Sequence, residues 1–315
     1  MPNTSSIATF FQILKSSVSK FLEDDLMTDA AALAYYTIFS LPPMLLVILM
    51  TATQFYNEQA VKSAIFGEIE SLIGQQSASQ LAGTLDRLGV FDTVSWTTAI
   101  SAGTLLFTAT TVFVTIQNAL NKTFKVKARP KGLGILKFLR DRLLSFSFLI
   151  GIGFVLLASL VINALISSFI AYLDSQIGHV SAMLTLLTSA LVPLMILTVF
   201  FAMIFKFLPD AKLQWKDTWR GAIFTAICFS IGKELIGIYI GNSQTANLYE
   251  AAGSVMVIMV WVFFTSTIFL FGAVFTCEQA KLNTGKIQPA DYAVKVVHQD
   301  IEITPEEDND YRKIE

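Results

Sequence analysis

Two adjacent ionisable residues, Lys233 and Glu234, interrupt a stretch that carries no other charge between Arg220 and Glu250. A charge near the middle of a membrane costs at least about 2.5–3.5 kcal/mol, so such side chains tend to face a cavity or a partner. Because neighbouring helical residues point about 100° apart, these two cannot reach one spot. Lys233 can extend to the membrane surface, whereas the shorter Glu234 is a candidate to accept a proton or bind a cation during transport. A purely structural pair is an equally weighted alternative.

A second polar pattern lies between positions 97 and 118, where seven side chains recur alternately four and three residues apart on one helix face. They are Thr97, Ser101, Thr104, Thr108, Thr111, Thr115 and Asn118. One interpretation is the wall of a polar path through the protein. The favoured alternative is a packing seam, because threonine hydroxyls in membrane helices commonly bond to their own helix. Asn163, in another apolar stretch, must also find a partner and is a further candidate for the path.

Three prolines are predicted helix breaks: Pro42, Pro43 and Pro193 each remove a backbone donor inside an apolar stretch. Broken helices line binding sites in many transporters. Catalytic groups are absent where they would have to lie, since no histidine or aspartate falls inside a predicted span. Cys228 and Cys277 both fall in apolar runs and are interpreted as small buried hydrophobic residues. The sequence therefore predicts no enzyme, no metal site and no cofactor.

The elements that carry these residues follow from composition. Of 315 residues, 54% are hydrophobic and only 15% charged, and the mean hydropathy is +0.60. These values predict an all-α, polytopic membrane protein. A net charge of −2 does not indicate binding to nucleic acid, which favours proteins with a positive charge. Six transmembrane helices are expected at about 30–56, 94–119, 143–172, 180–205, 220–241 and 251–277, with an outer helical loop over 57–92.

The basic residues predict the orientation. Of 22 lysines and arginines, 19 fall on one side of the six-span layout, Lys62 and Arg87 on the other, and Lys233 inside the fifth span. This bias places both termini in the cytoplasm. Residues 1–28 form a cytoplasmic amphipathic segment, 29–277 the membrane domain, and 278–315 an acidic, partly disordered cytoplasmic tail. The amphipathic segment lies either on the inner leaflet or against its own protein, and periodicity weights the two equally.

Four segments resemble the YihY/BrkB (UPF0761-type) family of bacterial inner-membrane proteins. They are AAALAYYTIFSLPPMLLVIL from Ala30, FVTIQNALNKTFKV from Phe113, LPDAKLQWKDTWRGAIFTA from Leu208, and AAGSVMVIMVWVFF followed by LFGAVFT in the last span. The resemblance covers about Ser16 to Lys281, in order. It implies a six-span protein, in agreement with the count made above from hydropathy.

The chain departs from the family pattern at two places. Members commonly have Tyr-Gly before the last span, whereas Tyr249 is followed here by Glu250. Members also commonly have Gly-Ala-Glu near the end of the last span, whereas Val274 stands here in place of the glutamate. Glu278, one turn later, is the acid that could take the place of the missing glutamate. The activities attached to the family are ribonuclease, serum resistance, and transport or lipid-related envelope roles. The residues do not support a ribonuclease, because they offer no metal cluster, basic groove or folded cytoplasmic domain.

The sequence therefore predicts a multi-pass protein of the bacterial inner membrane, permease-like, that handles a small or lipidic solute in envelope homeostasis. The alternative is a non-transporting scaffold in envelope assembly. Membrane lipids are the expected partners in both cases, envelope proteins are further candidates, and nucleic acid is not expected.

Overall fold

The computed structural model describes residues 6–52, 111–129, 181–242 and 253–296, together with positions 57, 59, 63, 67 and 168. Most of these residues are helical, which confirms the prediction of a mostly helical chain. The helices are α1 (Ser6–Glu23), α2 (Leu26–Ala52), α3 (111–124), α4 (Ser181–Phe207), α5 (Trp215–Asn242) and α6 (Gly253–Thr284).

Two of the helices are long and apolar enough to cross a membrane. They contain the stretches Trp215–Ile238 of α5 and Ile258–Asn283 of α6, and α4 contributes the shorter apolar stretch Leu191–Phe207. In sequence, α2 covers most of the first predicted span, and α3 the end of the second. Nearly all of the third predicted span and of the outer loop lies outside the described residues. The count of six spans and the cytoplasmic termini therefore stay predictions.

The prolines do not end the helices that contain them. Helix α2 continues through Pro42 and Pro43, and α4 continues through Pro193. The expectation of broken helices is therefore corrected at all three positions. A proline removes one rung of the backbone ladder, and a helix of 27 residues retains enough hydrogen bonds and packing on both sides to continue.

Helix α1 packs across the end of α6. Phe10 lies 5.8 Å from Phe275 and Phe21 lies 5.8 Å from Phe271, measured between ring centroids. Together with the bonds of Ser16 and Lys20 to Glu278, contacts that span three turns of α1 fall within about two turns of α6, so the two helices cross at an angle. Of the two interpretations of the N-terminal segment, packing against its own protein is what the described residues show. A second stripe of α1, with Phe11 and Leu22, is exposed.

Aromatic side chains join α4 to α6 in the described bundle. Phe201 and Phe205 of α4 stack on Phe269 of α6, with centroids 6.1 and 5.5 Å apart. Aromatic pairs at this spacing add to the free energy gained from burying their area. The three rings belong to one core cluster that also includes residues of α1, α2 and α3.

Helices α5 and α6 approach each other closely at a reciprocal pair of glycines and threonines. A Cβ atom added to Gly221 would lie 1.9 Å from Thr276 Oγ1, and one added to Gly272 would lie 2.0 Å from Thr225 Oγ1. Each threonine hydroxyl donates to the carbonyl of the glycine one turn earlier in its own helix, at 2.7 and 2.8 Å. The order of these contacts makes the helices antiparallel. Small residues at such a crossing let the backbones come together.

Four short strands, not predicted from the sequence, join the chain at the end where α6 finishes. Strand β1 (Val126–Ala128) pairs antiparallel with β4 (Ala293–Lys295), and β2 (Ala211–Lys212) pairs with β3 (Gln288–Pro289). Helix α6 stops at Gly285, whose φ of 75° turns the chain back. The segment after α6 is thereby tied to the chain after α3 and to the connection between α4 and α5. We call this the strand end of the bundle.

Candidate functional site

The described polar residues concentrate at the strand end, where α3, α4 and α6 finish and α5 begins. We define the polar layer as eight residues. Seven have side chains that bond across elements, and the eighth, Lys281, bonds to Glu278 within α6; the seven are Ser16, Lys20, Asn121, Asp210, Asp217, Glu278 and Asn283. The lysine and arginine bias predicts that this end faces the cytoplasm.

Glu278 of α6 is the most heavily bonded acid in the polar layer. Ser16 Oγ donates to its Oε2 at 2.6 Å, and the amines of Lys20 and Lys281 donate to its Oε1 at 2.5 and 2.9 Å. The carboxylate is buried, with 10% of the side chain exposed, and Lys20 and Lys281 are partly buried beside it. Charge-assisted bonds of this kind are about twice as strong as neutral ones. They fasten α1 to α6.

Asp210 and Asn121 form a reciprocal pair between the α4–α5 connection and α3. Asn121 Nδ2 donates to Asp210 Oδ2 at 2.8 Å, and the backbone N–H of Asp210 donates to Asn121 Oδ1 at 2.8 Å. Gln117, one turn earlier, donates to the other carboxylate oxygen at 3.4 Å. Both Asp210 and Asn121 are buried. The carbonyl of Asp210 accepts from the N–H of Ala290, which extends the β2–β3 ladder.

Asp217 lies in the first turn of α5 and is almost entirely buried, with 1% of its surface exposed. Asn283 of α6 donates to its Oδ1. Its Oδ2 has no hydrogen-bond partner among the described residues. Peripheral ion pairs surround the layer: Lys122 bonds to Asp29 at 2.9 Å and Lys212 to Asp291 at 2.5 Å.

The structure describes only some of the residues of the predicted polar path. Thr104, Thr108 and Asn163 lie outside the described residues. Thr115 Oγ1 donates to the carbonyl of Thr111 at 2.8 Å, which is the bonding expected of a packing seam.

Asn118, the next member of the face, is exposed, and the amide that enters the polar layer is Asn121.

Lys233 and Glu234 lie in α5, away from the polar layer. Lys233 is partly buried, whereas Glu234 is exposed and is flanked along the helix by the exposed side chains of Ile231, Leu235 and Ile238. No described contact joins Glu234 to the threonine face. Its part in transport stays a prediction.

The sequence interpretation missed Asn121, Asp210 and Asp217, and treated Glu278 only as a substitute for a family residue. These residues fall outside the predicted spans, next to their ends, and were therefore assigned to loops or to the tail. A usable signal was present: Asp210 follows Leu-Pro directly after an apolar helix, and Asn121 stands three residues after Asn118, the last member of the regular polar face. Among the described residues, no three histidine, cysteine or acidic side chains lie together as a metal site requires.

A comparison with protein families identifies the chain. The model of the family described as "Virulence factor BrkB" matches residues 17–294. The chain belongs to the BrkB family. The resemblance seen in the sequence is thereby confirmed, and both partners of the Asn121–Asp210 pair lie within the matched region.

Similar curated proteins are named as membrane proteins of the UPF0761 family. The chain is 27% identical to one from Verminephrobacter eiseniae over 270 residues, 84% of this chain and 61% of that protein. It is 28% identical to one from Ralstonia nicotianae over 258 residues, 80% and 55% of the two chains. A Pseudomonas aeruginosa relative is 25% identical over 264 residues, 82% and 60%. The chain thus spans 55–61% of the length of these BrkB-type relatives. No solved structure matches it.

Proposed function

We propose that this BrkB-family membrane protein is a permease-like protein of the bacterial inner membrane that handles a small or lipidic solute in envelope homeostasis, and that the polar layer is its cytoplasmic gate. We further propose that it spans the membrane six times, that both termini are cytoplasmic, and that it catalyses no reaction. The observation that carries the proposal is the bonding of the buried Glu278 carboxylate to α1 and α6 together.

A buried ion pair is a poor way to hold helices together permanently. Replacing such a pair by apolar residues of similar volume is often neutral or stabilising, because removing two charges from water costs several kcal/mol per ion. Bonds among Glu278, Lys20 and Ser16 can exchange for water when α1 moves away, which apolar packing resists. The polar layer is therefore suited to a contact between α1 and α6 that opens and re-forms.

The alternative is a non-transporting scaffold in envelope assembly. The observation that favours it is the close approach of α5 and α6 at Gly221 and Gly272, which leaves no space between the two helices at this crossing. A scaffold needs only packed helices, and it would keep α1 on α6 at all times. The two functions therefore differ in whether the contact between α1 and α6 opens.

A buried serine of α1 provides the test. Ser17 is fully buried and its hydroxyl donates to the carbonyl of Ile13 at 2.8 Å. In a chain with Cys228→Ser and Cys277→Ala, the variant Ser17→Cys should react with a small water-soluble thiol reagent only when α1 leaves α6. Glu278→Gln removes charge-assisted bonds that contribute about 1.5–3 kcal/mol. We therefore expect its reaction to be about 10- to 150-fold faster.

The matched control is Ser40→Cys in α2. Ser40 is also buried, and its hydroxyl donates to the carbonyl of Thr37 at 2.8 Å. Glu278→Gln should leave the reaction of this cysteine unchanged. Equal acceleration at both positions would mean general loosening of the fold, and an unreactive Cys at position 17 with or without Glu278→Gln would mean a permanent contact. Either result removes the gate and leaves the scaffold as the better account.

A further inference from the structure

One face of α5 combines exposed bases at its start with exposed apolar side chains along its length. The bases are Lys216 and Arg220, and the apolar side chains are Ile223, Ile227, Ile231 and Leu235. At about 100° per residue, Lys216 lies within about 20° of Ile223 and Ile227, and Arg220 within about 20° of Ile227 and Ile231. We call these six residues the outer face of α5.

The two bases are not used within the described part of the protein. Lysines elsewhere at the strand end do have partners: Lys20 and Lys281 bond to Glu278, and Lys122 bonds to Asp29. The side chains of Lys216 and Arg220 make no ion pair or hydrogen bond with any described residue.

The acids of α5 do not neutralise the pair. Asp217, between the two bases in sequence, is buried and accepts a hydrogen bond from Asn283 on α6. Glu234 is 14 residues beyond Arg220, which is about 21 Å along the helix. The pair therefore presents two positive charges outward.

Two tryptophans mark the depth of the bases. Trp215 and Trp219 are exposed by 47% and 41% in the same first turns of α5. Tryptophan is enriched at the boundary between hydrocarbon and headgroups, where its ring is partly apolar and its N–H is polar. The isoleucines that follow fit the acyl chains, and the bases lie at the level of the headgroups. This charge and this geometry are complementary to a lipid with an anionic headgroup.

We propose that the start of the outer face of α5 binds an anionic phospholipid, with its phosphate at Lys216 and Arg220 and its acyl chains along the isoleucines. The site does not depend on transport, so it holds for a permease and for a scaffold alike.

The tryptophans beside the site allow a direct measurement. The full chain with Trp96→Phe and Trp261→Phe retains Trp215 and Trp219 as its fluorophores. In bilayers that mix lipids, brominated phosphatidylglycerol should quench this fluorescence more than brominated phosphatidylcholine at the same mole fraction. Each base near an anionic surface contributes about five-fold in affinity. We expect a preference for phosphatidylglycerol of about five-fold or more in the parent, and a preference near one in Lys216→Gln/Arg220→Gln.

Two comparison variants make the result specific. Lys127→Gln/Lys295→Gln removes the same charge from exposed positions in β1 and β4 and should keep the preference. Lys216→Arg/Arg220→Lys preserves both charges and should also keep it. Equal quenching by the two lipids in the parent would overturn the site. So would an equal loss in the β1–β4 variant, which would indicate a general surface charge. Release of the preference by millimolar inorganic phosphate would show a small-anion site and overturn the lipid as its occupant.

Discussion

Replacing Gly221 by alanine should weaken the contact between α5 and α6. The added Cβ would lie 1.9 Å from Thr276 Oγ1 and 2.7 Å from Thr276 Cβ, whereas ordinary contacts begin at 3.4 Å. The helices would have to separate by roughly 1.5 Å, the difference between 3.4 and 1.9 Å, because Thr276 is fully buried and bonded to Gly272. Overpacking of this kind costs about 1–3 kcal/mol, and alanine returns up to about 1 kcal/mol through its helix propensity. We expect a net loss of about 1–2 kcal/mol in the free energy of unfolding.

The assay is unfolding of the purified protein in mixed detergent micelles, followed by tryptophan fluorescence. Gly237→Ala is the matched control in the same helix, since no described atom lies within 4 Å of the added Cβ, and it should be neutral or slightly stabilising. In a Thr276→Gly background, Gly221→Ala should lose its penalty, because the atoms it meets are gone. Equal stability of the Gly221→Ala and Gly237→Ala proteins, or a penalty that persists without the Thr276 side chain, would refute the reasoning.

Three further predictions concern other parts of the chain. Asn121→Asp places a second carboxylate against a buried acid and removes its donor, so it should lower the free energy of unfolding by at least about 1–3 kcal/mol, while Asn118→Asp at an exposed position of the same helix should not; equal melting of the two proteins would contradict this. Single cysteines at Ser77 and Thr304, in a chain without other cysteines, should be labelled from opposite sides of the membrane, and labelling of both from outside intact cells would disprove the six-span layout. Glu234→Gln should leave the amount of protein in the membrane unchanged while abolishing complementation of a null strain, and full complementation would remove this acid from the mechanism.

The helical layout was accessible from the sequence because long apolar stretches need no tertiary information. The expected spans at 180–205, 220–241 and 251–277 correspond to α4, α5 and α6, which begin or end a few residues away. The largest difference is at α6, which continues to Thr284. Its last two turns carry Glu278 and Lys281, whose charges suggested a tail, and their mutual bond together with Lys20 and Ser16 lets the helix continue.

The pairing of residues in the polar layer could not be predicted, since the partners are far apart in the chain. Asn121 and Asp210 are separated by 89 positions, and Ser16 and Glu278 by 262. No periodicity connects such residues. The strands could not be predicted for another reason. Segments of two or three residues, such as Ala211–Lys212, are too short for an alternating pattern to be recognised. The sequence also could not decide whether α1 packs on the membrane or on its own protein. Both surfaces are apolar, so an amphipathic helix fits either.

The glycine pair of α5 shows a limit of motif reasoning. The sequence GIYIG at Gly237 has the spacing typical of close helix contacts, yet no described atom lies near Gly237. The close contacts are made by Gly221 and Gly272, each followed four residues later by a threonine. The spacing of small residues is thus informative only when the facing helix offers a matching surface.

The two strand ladders impose an order on the assembly of the protein. Strands β3 and β4 lie within 288–295, after every described helix, yet their partners β1 and β2 are made much earlier, at 126–128 and 211–212. During synthesis, β1 and β2 therefore have unpaired backbone groups until the segment that follows α6 has emerged from the ribosome. A chain whose synthesis stops before Gln288 therefore contains all the described helices but neither ladder. Until the ladders form, β1 and β2 have free edges of the kind that pair with other chains.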